Sequence, residues 1–271
     1  MVSMDSIVFI RQIVDPQVRA RGIDYFDFSQ FSEDDLIINP FDKFAIEAVL
    51  KIKDQTQGSV TAICIEAVNP KKALREAVAM GCDKAIAISL DKKYLEGSYD
   101  FSFLAHIYLK VLEKVEKYDI ISIGGEVIST GFNAITTMLG ELLDLPTVTY
   151  VEKIELQSDK LHISRIIEGG SEILESSYPL VLSFADSDFL IPRLTPMRGI
   201  LKARTTPIEV YTLEDLEIEE SDTSLHSNIK KESFENIEVV RNAYILKDDE
   251  PEKMVDALLA KLKEDGVNLY Q

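Results

Sequence analysis

Histidine and cysteine are scarce, at three and two residues in a chain of 271. His106, His162 and His226 share no ligand spacing, which argues against a metal site built from them. Cys64 and Cys82 stand too far apart for a Cys-x-x-Cys centre, and Cys64 lies in the apolar run Val60 to Ile65, where a buried, reduced thiol is expected. Long apolar runs are missing as well. The longest, such as Tyr178 to Ala185, are strand-sized, well short of the roughly 18 residues that span a bilayer. Basic charge is in deficit, with 29 Lys and Arg against 47 Asp and Glu and a net charge of −18. Such a surface repels phosphate backbones and anionic membrane faces, so neither nucleic acid nor a membrane is an expected partner. The opening Met1 to Ser6 holds no basic residue, as a secretory or transit leader would, and a cytoplasmic chain is expected.

What is present is alternation. Ile7 to Ile13 is an apolar run of strand length, and Phe41 to Lys53 repeats apolar residues at helical spacing. Asn39 can cap that helix, with Pro40 at its first position. Val60 to Ile65 reads as a strand, Lys71 to Met80 as a helix closed by Gly81, and Ala85 to Leu90 as a strand. Phe101 to Lys117 reads as a long helix, Ile120 to Ile123 as a strand ending at Gly124-Gly125, and Asn133 to Leu143 as a helix. Strands alternating with helices predict a parallel sheet covered by helices. After Pro146 the period changes: Thr147 to Leu156, Leu161 to Glu168 and Glu172 to Ser176 predict antiparallel strands, with turns at 157–159 and 169–170. Leu180 to Ala185 suits a sheet interior. Ser221 to Asn236 reads as a polar linker or arm, and Pro251 to Glu264 as a closing helix with Met254, Leu258, Leu259 and Leu262 on one face.

In open parallel sheets, ligands bind beyond the carboxyl ends of the strands, where helix amino ends converge. Three segments should reach that edge: Arg11 to Asp15, Ile65 to Asn69, and Gly124 to Asn133. The last, Gly124-Gly125-Glu126-Val127-Ile128-Ser129-Thr130-Gly131-Phe132-Asn133, is the best candidate for a phosphate cradle. It matches neither Gly-x-Gly-x-x-Gly nor the Lys-containing phosphate loop, and plain packing explains such a turn equally well.

Several segments together resemble the beta subunit of electron transfer flavoproteins. They are Phe9-Ile10-Arg11-Gln12-Ile13-Val14-Asp15, Ile37-Ile38-Asn39-Pro40-Phe41-Asp42 with Ala45 and Glu47 following, Leu74-Arg75-Glu76-Ala77-Val78-Ala79-Met80-Gly81-Cys82-Asp83, Pro192-Arg193, Ile200-Leu201-Lys202-Ala203 and Leu259 to Glu264. Cys82 stands where the family usually has alanine. The resemblance implies a Rossmann-like α/β fold: a parallel sheet with helices on both faces, an antiparallel strand excursion, and a C-terminal arm ending in a helix that crosses to the partner. It divides the chain into an adenine-nucleotide-binding domain at 1–190, a partner-docking loop and final strand at 191–220, and an arm and helix at 221–271.

The resemblance further implies a heterodimer with an alpha subunit that holds most of a redox-active FAD. AMP, or a second FAD in flavin-bifurcating members, would bind this subunit. Its contacts carry over to Phe9, Asn39, Ile65 and the turn of Gly124, Gly125, Ser129, Thr130, Gly131, Phe132, Asn133, Ala134 and Ile135. The family turn is commonly acidic; the segment from Ser129 to Ala134 is not, so which nucleotide binds stays open, with AMP ranked first. Electrons would pass from a flavin dehydrogenase of the acyl-CoA dehydrogenase type, as in fatty acid oxidation, to a quinone-linked or other redox acceptor. No catalytic residue is needed for this. Met197, flanked by Leu194, matches the side chain that enters a pocket on the dehydrogenase, and core packing is the competing reading of Met197. The alternatives are a bifurcating, NADH-oxidising subunit and a non-redox adenine-nucleotide sensor.

Overall fold

The alternating apolar and amphipathic segments become strands and crossover helices in the computed structural model, which describes residues 3–19, 31–66, 70–90, 101–115, 117–128, 134–219, 243–247 and 250–267. The expected linker Ser221 to Asn236 lies outside these residues. Contacts divide the chain into two units, Met1–Lys230 and Lys231–Gln271.

In the first unit the strands are β1 (Ser6–Ile10), β2 (Gln12–Val14), β3 (Leu36–Ile38), β4 (Val60–Glu66), β5 (Lys84–Ser89) and β6 (Ile120–Gly124). They continue with β7 (Thr147–Gln157), β8 (Lys160–Ile167), β9 (Gly170–Ser176), β10 (Leu180–Phe184) and β11 (Ile208–Tyr211). The helices are α1 (Pro16–Arg19), α2 (Pro40–Thr56), α3 (Lys71–Met80), α4 (Phe101–Lys114), α5 (Ile135–Leu143) and α6 (Met197–Thr205). Nine strands form one sheet in the order β11-β5-β4-β1-β6-β10-β7-β8-β9. Pairing is parallel from β11 to β7 and antiparallel from β7 to β9, the expected excursion. Its turns carry the left-handed residues Ser158 (φ 61°) and Gly169 (φ 84°).

The central strands are buried on both faces. In β1, Val8 and Ile10 join one core cluster, with Leu50 of α2 and Ala77 of α3; Ile7 and Phe9 join the other, with Ile107 of α4 and Leu139 of α5. This period-two partition places helices on both faces, which is why the strands read as continuous apolar runs rather than alternating ones.

Four expectations are corrected. The run Ile7 to Ile13 is two strands, because the Arg11 amide turns to a side chain instead of a neighbouring strand; β2 then pairs antiparallel with β3 in a separate two-stranded ribbon. The long helix stops at Lys114, three residues early. Asn39 makes no side-chain cap to α2, since the loop after β6 takes its amide group. The segment expected to be a loop after Pro192-Arg193 contains a helix, α6, that its glycine and flanking prolines disguised.

In the second unit, α7 spans Pro251–Glu264, the limits that its periodicity predicts. Lys261 pairs there with Glu264 at 3.2 Å and Asp265 at 2.9 Å. Among the described residues no helix is long and apolar enough to cross a membrane.

Candidate functional site

The chain runs from β1 outward to β4 and β5, then returns to β6 on the other side of β1. This reversal opens a crevice beyond the carboxyl ends of β1 and β6, the place where parallel sheets bind ligands. A single carboxylate builds its floor. Asp42, in the first turn of α2 and 0% exposed, accepts the Arg11 amide on Oδ2 at 2.8 Å. Its Oδ1 accepts Arg11 Nη2 and the Gly124 amide, each at 3.1 Å. Three donors on one carboxylate tie both strand ends to the helix, and the helix amino end favours the negative charge.

Gly124 is required by this closeness: a Cβ there would lie 2.2 Å from Asp42 Oδ1 and 2.7 Å from the Asp42 nitrogen. Gly125 donates its amide to the Phe184 carbonyl at 2.8 Å, and a Cβ would sit 2.8 Å from that oxygen. Both glycine amides therefore donate within the protein. Asn39, 0% exposed, donates Nδ2 to the Glu126 carbonyl at 2.8 Å and accepts the Ile128 amide on Oδ1 at 3.4 Å. It fixes the start of the turn after β6.

Phe9, Ile65 and Ile135 meet in one apolar cluster, where Phe9 stacks on Tyr108 with centroids 3.8 Å apart. Such a pair contributes about 0.5–1.5 kcal/mol beyond its burial. Ala134 immediately precedes α5, and in the first turn of that helix Thr136 is 1% exposed with a hydroxyl that has no partner. Ser129, Thr130, Gly131, Phe132 and Asn133 lie outside the described residues.

A second feature stands on α2 and α3. After β10 the chain exposes Phe189, Ile191, Leu194, Met197 and Leu201, with Leu194 at 92% and Met197 at 71%. Met197 is not core filler; it opens α6 at the surface. No acidic residue lies between Asp188 and Glu209, while Arg198, Lys202 and Arg204 are exposed there, in a chain of net charge −18. The helix sits tightly on α3: a Cβ on Gly199 would lie 2.1 Å from the Ala79 carbonyl oxygen. Arg75 donates to the carbonyls of Ala203 and of Thr206, the latter at 2.6 Å. At the other end, Arg193 is held by Glu47 of α2 at 2.8 Å. Sequence reasoning singled out Pro192-Arg193 and Glu47 in separate stretches of the resemblance, but did not pair them. The signal for a buried partner was a carboxylate within the apolar stretch Ala45 to Leu50.

Below α6, Asp83 joins three elements. It accepts Lys53 Nζ at 2.6 Å and the Val60 amide at 3.0 Å, and faces Lys202 at 3.5 Å. Burial works to raise this carboxyl, but the Lys53 and Val60 hydrogen bonds and the two lysine charges prevail and hold it below the ordinary aspartate range. A carboxyl depressed in the folded state contributes stability in full above its unfolded value of about 3.9, and loses it as pH falls through the lower folded value. Asp83→Asn should therefore unfold at lower urea than the parent near neutral pH. The difference should shrink as pH falls below about 4, and a constant gap across that range would refute the linkage. Its neighbour Cys82 is buried, and burial first, then the Asp83 charge, pushes its thiol up to about 12. That keeps it protonated and unreactive.

The sequence pattern of the electron transfer flavoprotein domain matches residues 30–216, covering α2, the crevice turn and the exposed arch. The electron transfer flavoprotein subunit beta of Bacillus subtilis (strain 168) is 34% identical over 187 residues, 69% of this chain and 71% of that protein. The subunit beta of Clostridium acetobutylicum is 32% identical over 233 residues, 84% of this chain and 86% of that protein. The caffeyl-CoA reductase-Etf complex subunit CarD of Acetobacterium woodii is 32% identical over 183 residues, 66% of this chain and 68% of that protein. With a crevice at the reversal of strand order and similarity over most of its length, the chain belongs to the electron transfer flavoprotein family, among its beta subunits.

Proposed function

We propose that this chain is the smaller subunit of a heterodimeric electron carrier, working in the cytoplasm, whose larger alpha subunit holds most of the contacts to a redox FAD. When bound, FAD takes up and releases electrons one or two at a time. The role of this chain is positional. It forms one wall of the flavin site, holds an adenine nucleotide and presents a docking surface to a flavin dehydrogenase of the acyl-CoA dehydrogenase type. The electrons then leave to a quinone-linked acceptor. The observation that carries this reading is the exposed arch, where Leu194 and Met197 stand at 92% and 71% exposure on a segment tied to α2 and α3. A large exposed apolar patch marks a contact surface.

The nucleotide would enter the crevice between β1 and β6. The residues there fit it. The Thr136 hydroxyl, buried without a partner at the amino end of α5, supplies a donor beside the amides of the helix start. Phe9 and Ile65 supply the apolar wall, and Asn39 holds Glu126 and Ile128, which precede Ser129 to Asn133 in the sequence. With the amides of Gly124 and Gly125 already donating inside the protein, phosphate contacts fall to residues later in the sequence, up to the start of α5. AMP is the nucleotide we assign.

The similarity to a subunit of a caffeyl-CoA reductase-Etf complex favours a second reading, a bifurcating subunit with its own FAD. Co-expression with the larger subunit, denaturation and chromatography of the released nucleotides separates the two. One FAD and one AMP per heterodimer is the expected result. Two FAD without AMP would establish the second reading, and a flavin-free homodimer that binds ATP would replace both with a nucleotide sensor.

A further inference from the structure

Arg193 is the residue immediately before Leu194, and it is bound to α2 through both its backbone and its side chain. Glu47, whose side chain is 5% exposed, accepts on Oε2 the Arg193 amide at 3.1 Å and Nε at 2.8 Å. Its Oε1 accepts Nη2 at 3.1 Å, and Nη2 also reaches Asp54 Oδ2 at 3.0 Å. A planar guanidinium gripping a carboxylate at two points fixes direction as well as distance, which a lysine cannot do. The next fixed point is α6, held on α3 by Arg75 and by the close approach at Gly199. Only Leu194, Thr195 and Pro196 lie between these anchors, with Pro192 and Pro196 restricting the backbone further. The arch is thus ordered before any partner arrives, although its apolar tips are in solvent.

We propose that Arg193, gripped by Glu47, is the positioning residue of the docking arch: it holds Leu194 and Met197 in the geometry that the dehydrogenase receives. This rests on the docking reading given above. A surface ordered in advance binds without the entropic cost of ordering itself, and affinity falls in proportion to the fraction of molecules in the competent form. Freed at one end, the arch samples other conformations, and the partner meets the competent one less often.

The test uses the purified heterodimer as the varied substrate of its reduced dehydrogenase. Arg193→Gln leaves the Glu47 carboxylate buried without its ion-pair partner and can destabilise the fold. The paired variant, Glu47→Gln with Arg193→Gln, removes that charge and keeps the inference testable. Both should raise KM for the carrier about tenfold, the effect of a competent fraction reduced to about a tenth. Saturated turnover, dithionite reduction and nucleotide content should stay at parental values. In a background carrying both Leu194→Ala and Met197→Ala the same changes should add nothing, because Arg193 acts through those two side chains. An unchanged KM in the paired variant, while Met197→Asp blocks transfer, would overturn the positioning role and leave docking intact. Normal transfer by Met197→Asp would remove docking and this inference with it. A full additional rise in the Leu194→Ala, Met197→Ala background would also overturn it, since Arg193 would then act by another route.

Discussion

Heterodimer carrying Met197→Asp is expected to lose more than about 99% of its dehydrogenase-driven flavin reduction while keeping its subunit stoichiometry and its reduction by dithionite. The side chain is 71% exposed at the first position of α6, so an aspartate there meets water in the free protein and leaves the fold alone. In the complex the same carboxylate would be pressed into an apolar pocket, where an unpaired charge costs several kcal/mol. Each 1.4 kcal/mol is about tenfold in affinity, so about 3 kcal/mol already exceeds a hundredfold. Leu194→Asp, at 92% exposure, should act in the same direction. Stopped-flow reduction by the dehydrogenase, set beside reduction by dithionite, reads the effect. Parental rates with the dehydrogenase would show that the arch is not the docking surface.

The second large effect is expected at Asp42. Asp42→Ala removes the acceptor for the Arg11 amide, the Arg11 guanidinium and the Gly124 amide at once, at a position that is 0% exposed. Arg11, itself 9% exposed, then keeps its charge in the interior but loses that carboxylate. Breaking a buried pair from one side costs about 3–5 kcal/mol, a large part of the 5–15 kcal/mol that holds a typical domain together. Urea unfolding of the heterodimer should show this loss. Nucleotide content should fall with it, because the ends of β1 and β6 would no longer be held to α2. A loss under about 1 kcal/mol with full nucleotide occupancy would contradict the role of Asp42 as the tie of the crevice.

The elements that were legible are those whose signal is local. Lys71 to Met80 and Pro251 to Glu264 have the helix limits that their periodicity predicts, and the hairpin turns fall where Ser158 and Gly169 take positive φ. The apolar run Leu180 to Phe184 became an interior strand because only a strand covered on both faces tolerates five consecutive buried side chains. The elements that were missed depend on distant partners. Gly199 lowers the intrinsic helicity of Met197 to Thr205 by about 1 kcal/mol relative to alanine. Yet the same glycine lets α6 approach the Ala79 carbonyl, and that packing on α3 holds the helix together. The strand breaks at Arg11 because its amide goes to Asp42, a choice that no nearby residue announces.

The candidate site divides along the same line. Sequence alone determined the α/β alternation, the antiparallel excursion and the family, because these follow from periodicity, turn residues and an ordered set of short matches. Tertiary structure decided what the individual residues do at that edge. It turned Asn39 from a helix cap into the holder of the Glu126 to Ile128 turn, committed the Gly124 and Gly125 amides to Asp42 and Phe184, and placed Met197 in solvent. It also joined Arg193 to a glutamate 146 residues away. Hydrogen bonds and ion pairs between distant segments leave no period in the sequence, since the chemistry of each partner is ordinary until the fold brings the two within about 3 Å.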